Sequence, residues 1–207
     1  IVGTGSSIAG GAGAYFYTYV LGDMKLMSGV SIIGLIASLV GIVMGPYLAN
    51  RFGKKKVYLT AVIISTALNL LRLLDVTSMI LIYISALIGG VAGGWMVPVS
   101  TSIQADNTTY VQYKTGKRAE AAIASLTSFV SKVAQGLGGA IPGYVIAAYG
   151  FVTGASVQPE SINTGIILCA LILPLIFGIL GSLIFGTQYT LDQKAVIEMD
   201  AKINRNN

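Results

Sequence analysis

The sequence predicts an all-α membrane protein, a bundle of six transmembrane helices. Three observations predict it. Of the 207 residues, 54% are hydrophobic and only 10% are charged, against roughly 25% charged in a soluble domain. The apolar residues fall in runs near the roughly 20 residues that a helix needs to cross a bilayer. The basic residues fall in short clusters between those runs, which is how a membrane orientation signal is written. The net charge of +5 therefore needs no nucleic acid to explain it.

The spans follow in order. The first covers residues 1–22 and is followed by "GDMK". The second covers 27–49 and ends at "NRFGKKK". The third covers 57–74, with Arg72 and Asp75 at its far end. The fourth covers 79–105, and a polar connection, "DNTTYVQYKTGKRAE", runs from 106 to 120. The fifth covers 119–149, and the connection "GFVTGASVQPESINT" carries no lysine or arginine. The sixth covers 165–188. Residues 1–188 thus form one membrane domain, and 189–207 a mixed-charge tail. The chain opens at Ile1 rather than methionine, with no basic stretch before its first apolar run. That is not a signal peptide, and it leads us to expect a piece of something longer.

Six spans put both ends on one side. Arg51, Lys54, Lys55, Lys56, Lys114, Lys117, Arg118, Lys194, Lys202 and Arg205 share that side, against Lys25 and Arg72 on the other. The asymmetry assigns both ends to the cytoplasm and the chain to the cell membrane. Much of the glycine lies within spans. The pairs Gly41/Gly45, Gly90/Gly94 and Gly139/Gly143 are four apart, which places small residues on one face and lets helices approach closely. Pro98, Pro142 and Pro174 lie inside spans, where each disturbs the helix ladder.

Composition excludes several kinds of chemistry. There is no histidine and only one cysteine, Cys169, so neither a histidine base nor an internal disulfide is available. "GTGSS" lacks the lysine of a phosphate-binding loop. No pair of acids lies at depth, so an intramembrane enzyme is not expected.

One charge stands out. Lys132 lies roughly 20 Å along the fifth span from Glu120 at 1.5 Å per residue. At that depth an ionisable group costs about 2.5–3.5 kcal/mol or more, so it should face a polar cavity or a partner charge. Ser125, Ser128 and Gln135 share its helix face at i−7, i−4 and i+3. No acid lies at the same depth, so the partner is either a substrate or a part of the protein outside this sequence. Ser7, Gly11, Tyr15 and Tyr19 make a second face in the first span. Trp95, with Ser100, Thr101, Ser102 and Gln104 beyond it, makes a third in the fourth span. Aromatic rings can stack on a sugar while hydroxyls and amides bond its hydroxyl groups. In the connection at 106–120, Asp106, Tyr110, Tyr113, Lys114, Arg118 and Glu120 form D-x3-Y-x2-Y-K-x3-R-x-E, a candidate cytoplasmic gate of charged pairs. Such pairs are worth little singly when exposed, so a gate needs a network.

This pattern, together with its spacing to Lys132, resembles the carboxyl-terminal half of the glycoside–pentoside–hexuronide:cation symporters, the melibiose permease family within the major facilitator superfamily. "YVLGD" at 19–23 ends the first span as in many members. "GPYLANRFGKKK" at 45–56 is similar to the superfamily's loop motif G-x-L-x-D-R-x-G-R-R, with Asn50 at the acidic position and Arg51 at its arginine. The resemblance implies one half of a major facilitator fold. It implies cation-coupled symport of a sugar or glycoside by alternating access. Lys132, Ser128, Gln135, Trp95 and Tyr15 are then the candidate substrate residues, and the Asp106 to Glu120 set with Arg51 the gate. No cofactor is implied. The coupling ion would be Na⁺, Li⁺ or H⁺, bound mostly by an amino-terminal six-helix half that this sequence lacks. The partners would be the sugar, the ion, that half and the bilayer. The alternative is a complete six-span protein that assembles into a channel or pore.

Overall fold

The computed structural model describes residues 1–117, 119–155 and 157–205. All regular structure in it is helical. Helix α1 is Val2–Tyr15 and continues as a π-helical stretch, Phe16–Val20. Helix α2 is Lys25–Phe52, α3 Lys54–Leu74, α4 Met79–Thr115 and α5 Glu120–Ala148. The sixth rod is α6, Ser161–Ile167, a second π stretch, Leu168–Ile172, and α7, Leu173–Gln188. Helix α8 is Gln193–Arg205.

Four of the described helices are by themselves long and apolar enough to cross a membrane: α2, α3, α4 and the rod Ser161–Gln188. The first expected span falls short because it is divided between α1 and the π stretch. The fifth is 29 residues long, but Ser125, Ser128, Lys132 and Gln135 dilute its apolar character.

The turns show how the sequence shapes the rods. Phe52 ends α2 and Lys54 begins α3, so Gly53 alone makes the reversal. Its φ of 87° and ψ of 141° lie where a side chain would be strained. In the first π stretch Leu21 N–H bonds the Phe16 carbonyl five residues back, at 3.1 Å. The second π stretch ends just before Pro174, the second residue of α7. Proline clashes with the carbonyl four residues earlier, and one wide turn relieves that clash. At the other face of the bundle, Ser161 Oγ donates to the Tyr149 carbonyl at 2.7 Å and pins the start of α6 to the end of α5.

The rods pack in pairs, α2 against α4 and α1 against α5. Both seams are closed by glycine. A Cβ on Gly94 or Gly41 would run into the facing Ser38 or Val91 carbonyl, and one on Gly138 into Ser7 of α1. The sixth rod touches α1 and α3, and α3 also packs on α4. Ile8, Phe16, Ile146, Ile166 and Leu171 form the larger core cluster. Ala49, Val57, Val99 and Ile103 form a smaller one beside the α2–α3 turn. Helices α4 and α5 barely touch.

Two expectations are corrected. The connection expected at 106–120 is helical over most of its length, because α4 runs on to Thr115. It stops at Gly116, whose φ of 69° is left-handed and whose N–H bonds the Gln112 carbonyl at 2.8 Å. The tail, read only as mixed charge, contains α8, which packs along α4. Period-based reading ended the helix where the apolar run ended, but a packed helix can extend into water once a neighbour covers one face.

Candidate functional site

One gate candidate, Asp106, sits where α3, α4 and the end of the sixth rod converge. Asp106, on α4, is only 6% exposed. Both its carboxylate oxygens accept from Lys54 Nζ, at 2.7 and 2.8 Å. Tyr189 Oη, just past α7, donates more weakly at 3.5 Å. Burial and the neighbouring Asp106 carboxylate together push the Tyr189 phenol up to about 12. Three elements are thus tied through one carboxylate. Lys54 and Tyr189 were missed by sequence reasoning. Lys54 is one of three consecutive lysines, and only the Gly53 turn decides which of them faces α4.

The other gate candidates face outward. Arg51 lies on the exposed end of α2, where its guanidinium is 5.4 Å from the Phe52 ring and Nη1 donates to Tyr47 Oη at 3.3 Å. Tyr110 and Tyr113 are each more than a third exposed. Lys114 Nζ stands 5.9 Å from the Tyr110 ring centre, and Lys202 of α8 stands 5.8 Å from that of Tyr113. Glu120 begins α5. Arg118 lies outside the described residues.

Between α4, α5 and α8 lies a cavity of about 510 Å³. Thr101, Gln104, Thr108 and Gln112 line it from α4, Glu120 from α5 and Asp200 from α8. Steps of three and four place those α4 residues on one face. Thr101 and Gln104 were legible as a polar face from their spacing. Asp200 was not, because the tail was read by its mixed charge alone, although Val196, Met199 and Ile203 follow the spacing of an amphipathic helix.

Lys132, Ser128 and Gln135 are all exposed on α5. They lie before Gly138, where α5 meets α1, and beyond the cavity residues Ile123 and Ala124. Among the described residues no carboxylate pairs with Lys132. The opposite side of this helix segment is as open: Leu126 is 65% and Val130 52% exposed. The structure does not bring Trp95 and Tyr15 to this stripe. Trp95 is half-buried, packed against the cluster of Ala49, Val57 and Val99, with its Nε1 buried and unbonded among the described residues. Tyr15 stacks on Tyr19 at 6.4 Å and meets Phe151 edge-on at 5.7 Å. Both aromatic groups are held by packing in the described chain.

Comparison with known proteins fits this arrangement. Over residues 2–193 the chain matches the family described as MFS/sugar transport protein. It is 30% identical over 204 residues to the glucuronide carrier protein homolog of Escherichia coli (strain K12), covering 94% of this chain and 44% of that protein. It is 25% identical over 191 residues to the putative sulfoquinovose importer of the same organism, covering 92% of this chain and 41% of that protein. It is 28% identical over 154 residues to the isoprimeverose transporter of Lactiplantibacillus pentosus, covering 72% and 31%. The chain therefore spans less than half the length of these relatives. They are transporters and not enzymes. The chain is a multi-pass membrane protein and belongs to the MFS/sugar transport protein family.

Proposed function

We propose that this chain is the carboxyl-terminal half of a cation-coupled sugar or glycoside symporter that works by alternating access. In such transporters two helix bundles rock around a site at their shared interface near mid-membrane. The observation that carries the reading is the exposed stripe of Ser128, Lys132 and Gln135 on α5. An unpaired ammonium at that depth requires a polar partner, and a second bundle lining a wet cavity supplies one. The relatives' printed names supply the substrate class: a glucuronide carrier, a sulfoquinovose importer and an isoprimeverose transporter.

In this reading all six rods span the membrane and both ends of the chain are cytoplasmic. Lys132 organises the cavity and senses the coupling ion, held by the other half. Ser128 and Gln135 bond sugar hydroxyls. Trp95 and Tyr15 support the wall through packing. The Lys54–Asp106–Tyr189 junction fixes the cytoplasmic ends of α3, α4 and the sixth rod. The outward-facing Arg51, Tyr110, Tyr113, Lys114 and Glu120 meet the other half when that side closes.

The test is uptake of labelled sugars by the full-length protein in proteoliposomes under imposed Na⁺, Li⁺ or H⁺ gradients. Gradient-driven accumulation is expected. Lys132→Ala is expected to cut accumulation at least tenfold while the protein still inserts, and Lys132→Arg to retain part of it. Accumulation that is unchanged in Lys132→Ala removes the role given to this residue. Ion conductance without sugar counterflow points instead to a channel.

A further inference from the structure

Two cavities meet at the α2–α3 turn. One is a groove of about 390 Å³, walled by Met44, Leu48 and Phe52 of α2 and Val57 of α3, with Trp95 of α4 against it. The other holds about 250 Å³ and carries charge, with Lys54, Lys55 and Lys56 in its lining together with Asp106, Tyr189 and Asp192. Phe52 and Lys56 line both. An apolar slot and a charged pocket therefore share one wall, at the end of two membrane-spanning helices.

We propose that the joined cavities hold one anionic phospholipid, with an acyl chain in the groove and its phosphate on Lys55 and Lys56. The groove lies between two spans, so hydrocarbon is its surrounding medium and an apolar chain its natural occupant. It has too few polar groups to hold a sugar. The lysines sit at the helix ends, at the level of the headgroups, where basic pockets between spans attract lipid phosphate. The charges fit as well. Three ammonium groups line the charged pocket against two carboxylates. Lys54 is taken up by Asp106, and one positive charge remains in excess, which a phosphodiester matches. The site needs only that α2 and α3 span the membrane. It stands or falls apart from the sugar site.

Trp95 is the only tryptophan in the sequence and reports on the groove directly. The test uses the full-length protein with any other tryptophans replaced, in phosphatidylcholine vesicles. Phosphatidylglycerol or phosphatidylcholine with brominated acyl chains is added at increasing mole fraction, and quenching of Trp95 is read. Brominated phosphatidylglycerol is expected to quench at a several-fold lower mole fraction than brominated phosphatidylcholine. The double variant Lys55→Gln/Lys56→Gln should erase that preference, and Lys55→Arg/Lys56→Arg should keep it. Thr60 of α3 also lines the groove, and Thr60→Leu, which fills it, should weaken quenching by both lipids. Equal quenching by the two lipids in the unaltered protein overturns the proposal, since it describes ordinary surrounding lipid. So does a preference that survives the glutamine variant. A preference abolished by millimolar inorganic phosphate but untouched by Thr60→Leu identifies a free-phosphate site, which also overturns it.

Discussion

Asp106 is the charged residue that the fold buries most completely among those described, and it shows what one carboxylate can organise. Taking two charges out of water is costly, and the loss is recovered only when the partners stay matched. Removing one partner of a buried pair costs about 3–5 kcal/mol. Lys54 keeps an 18% exposed side chain, so some solvent reaches the pair and the lower end of that range applies. Asp106→Asn should therefore destabilise the purified protein by about 3 kcal/mol. Lys54→Gln should cost a similar amount. The double variant Lys54→Gln/Asp106→Asn should cost less than the sum of the two, and thermal unfolding of the four proteins measures the non-additivity. Burial, and after it the same carboxylate, raises the pKa of Tyr189. Its phenol is held near 12, above the ordinary 10, so the folded protein retains a proton that the unfolded chain gives up earlier. That contribution to stability is complete below pH 10 and is lost as pH rises from 10 through 12. The tyrosinate difference spectrum between the unaltered protein and Tyr189→Phe should accordingly develop close to pH 12. A difference centred near pH 10 would mean that Tyr189 is neither buried nor held against Asp106 in solution.

At the scale of elements, glycine position decides how closely the rods approach. Gly93 and Gly94 are adjacent in α4, yet a Cβ on Gly93 meets nothing within 4 Å, while one on Gly94 meets the backbone of Ser38 in α2. Alanine favours a helix over glycine by about 0.8–1 kcal/mol, and overpacking a close contact costs about 1–3 kcal/mol. Gly93→Ala should thus be neutral or slightly stabilising, and Gly94→Ala destabilising by about 1–2 kcal/mol. Thermal midpoints in detergent compare the two, and equal effects would mean that the α2–α4 seam is looser than described. The sequence carried much of this layer openly. Apolar length located the rods, and four-residue glycine spacing located Gly94 on a close face. Other features had no sequence signal of their own. The extension of α4 to Thr115 depends on α8 lying beside it. The π stretch at Phe16–Val20 has no proline to announce it. The place of Trp95 depends on which face of α4 meets α2, and a helix with glycines on several faces leaves that open.

At the scale of the whole molecule, α5 is the element whose packing is unfinished within the chain. Its second half is seated on α1 through Gly138, but its first half is open on both sides, polar at Ser128 and Lys132 and apolar at Leu126 and Val130. In the proposed reading lipid satisfies the apolar side, and the polar side needs water, a substrate or another bundle, because charge at mid-membrane depth has few stable surroundings. That Ser128, Lys132 and Gln135 share one open face of a helix was legible in the sequence. What it could not convey was the arrangement of the aromatic groups, since Tyr15 and Trp95 are held by neighbours distant in the chain. This contrast between the two sides of α5 gives a direct test of the interface reading. In the full-length protein, Ser128→Cys should react with a membrane-impermeant maleimide, because it faces a wet cavity. Bound sugar should slow that reaction at least several-fold. Val130→Cys, two residues on and turned about 200° round the helix, should react slowly whether or not sugar is present, because hydrocarbon excludes the reagent. If the two cysteines react alike, α5 does not separate water from lipid. If Ser128→Cys reacts freely but sugar never protects it, the cavity is wet but the substrate binds elsewhere.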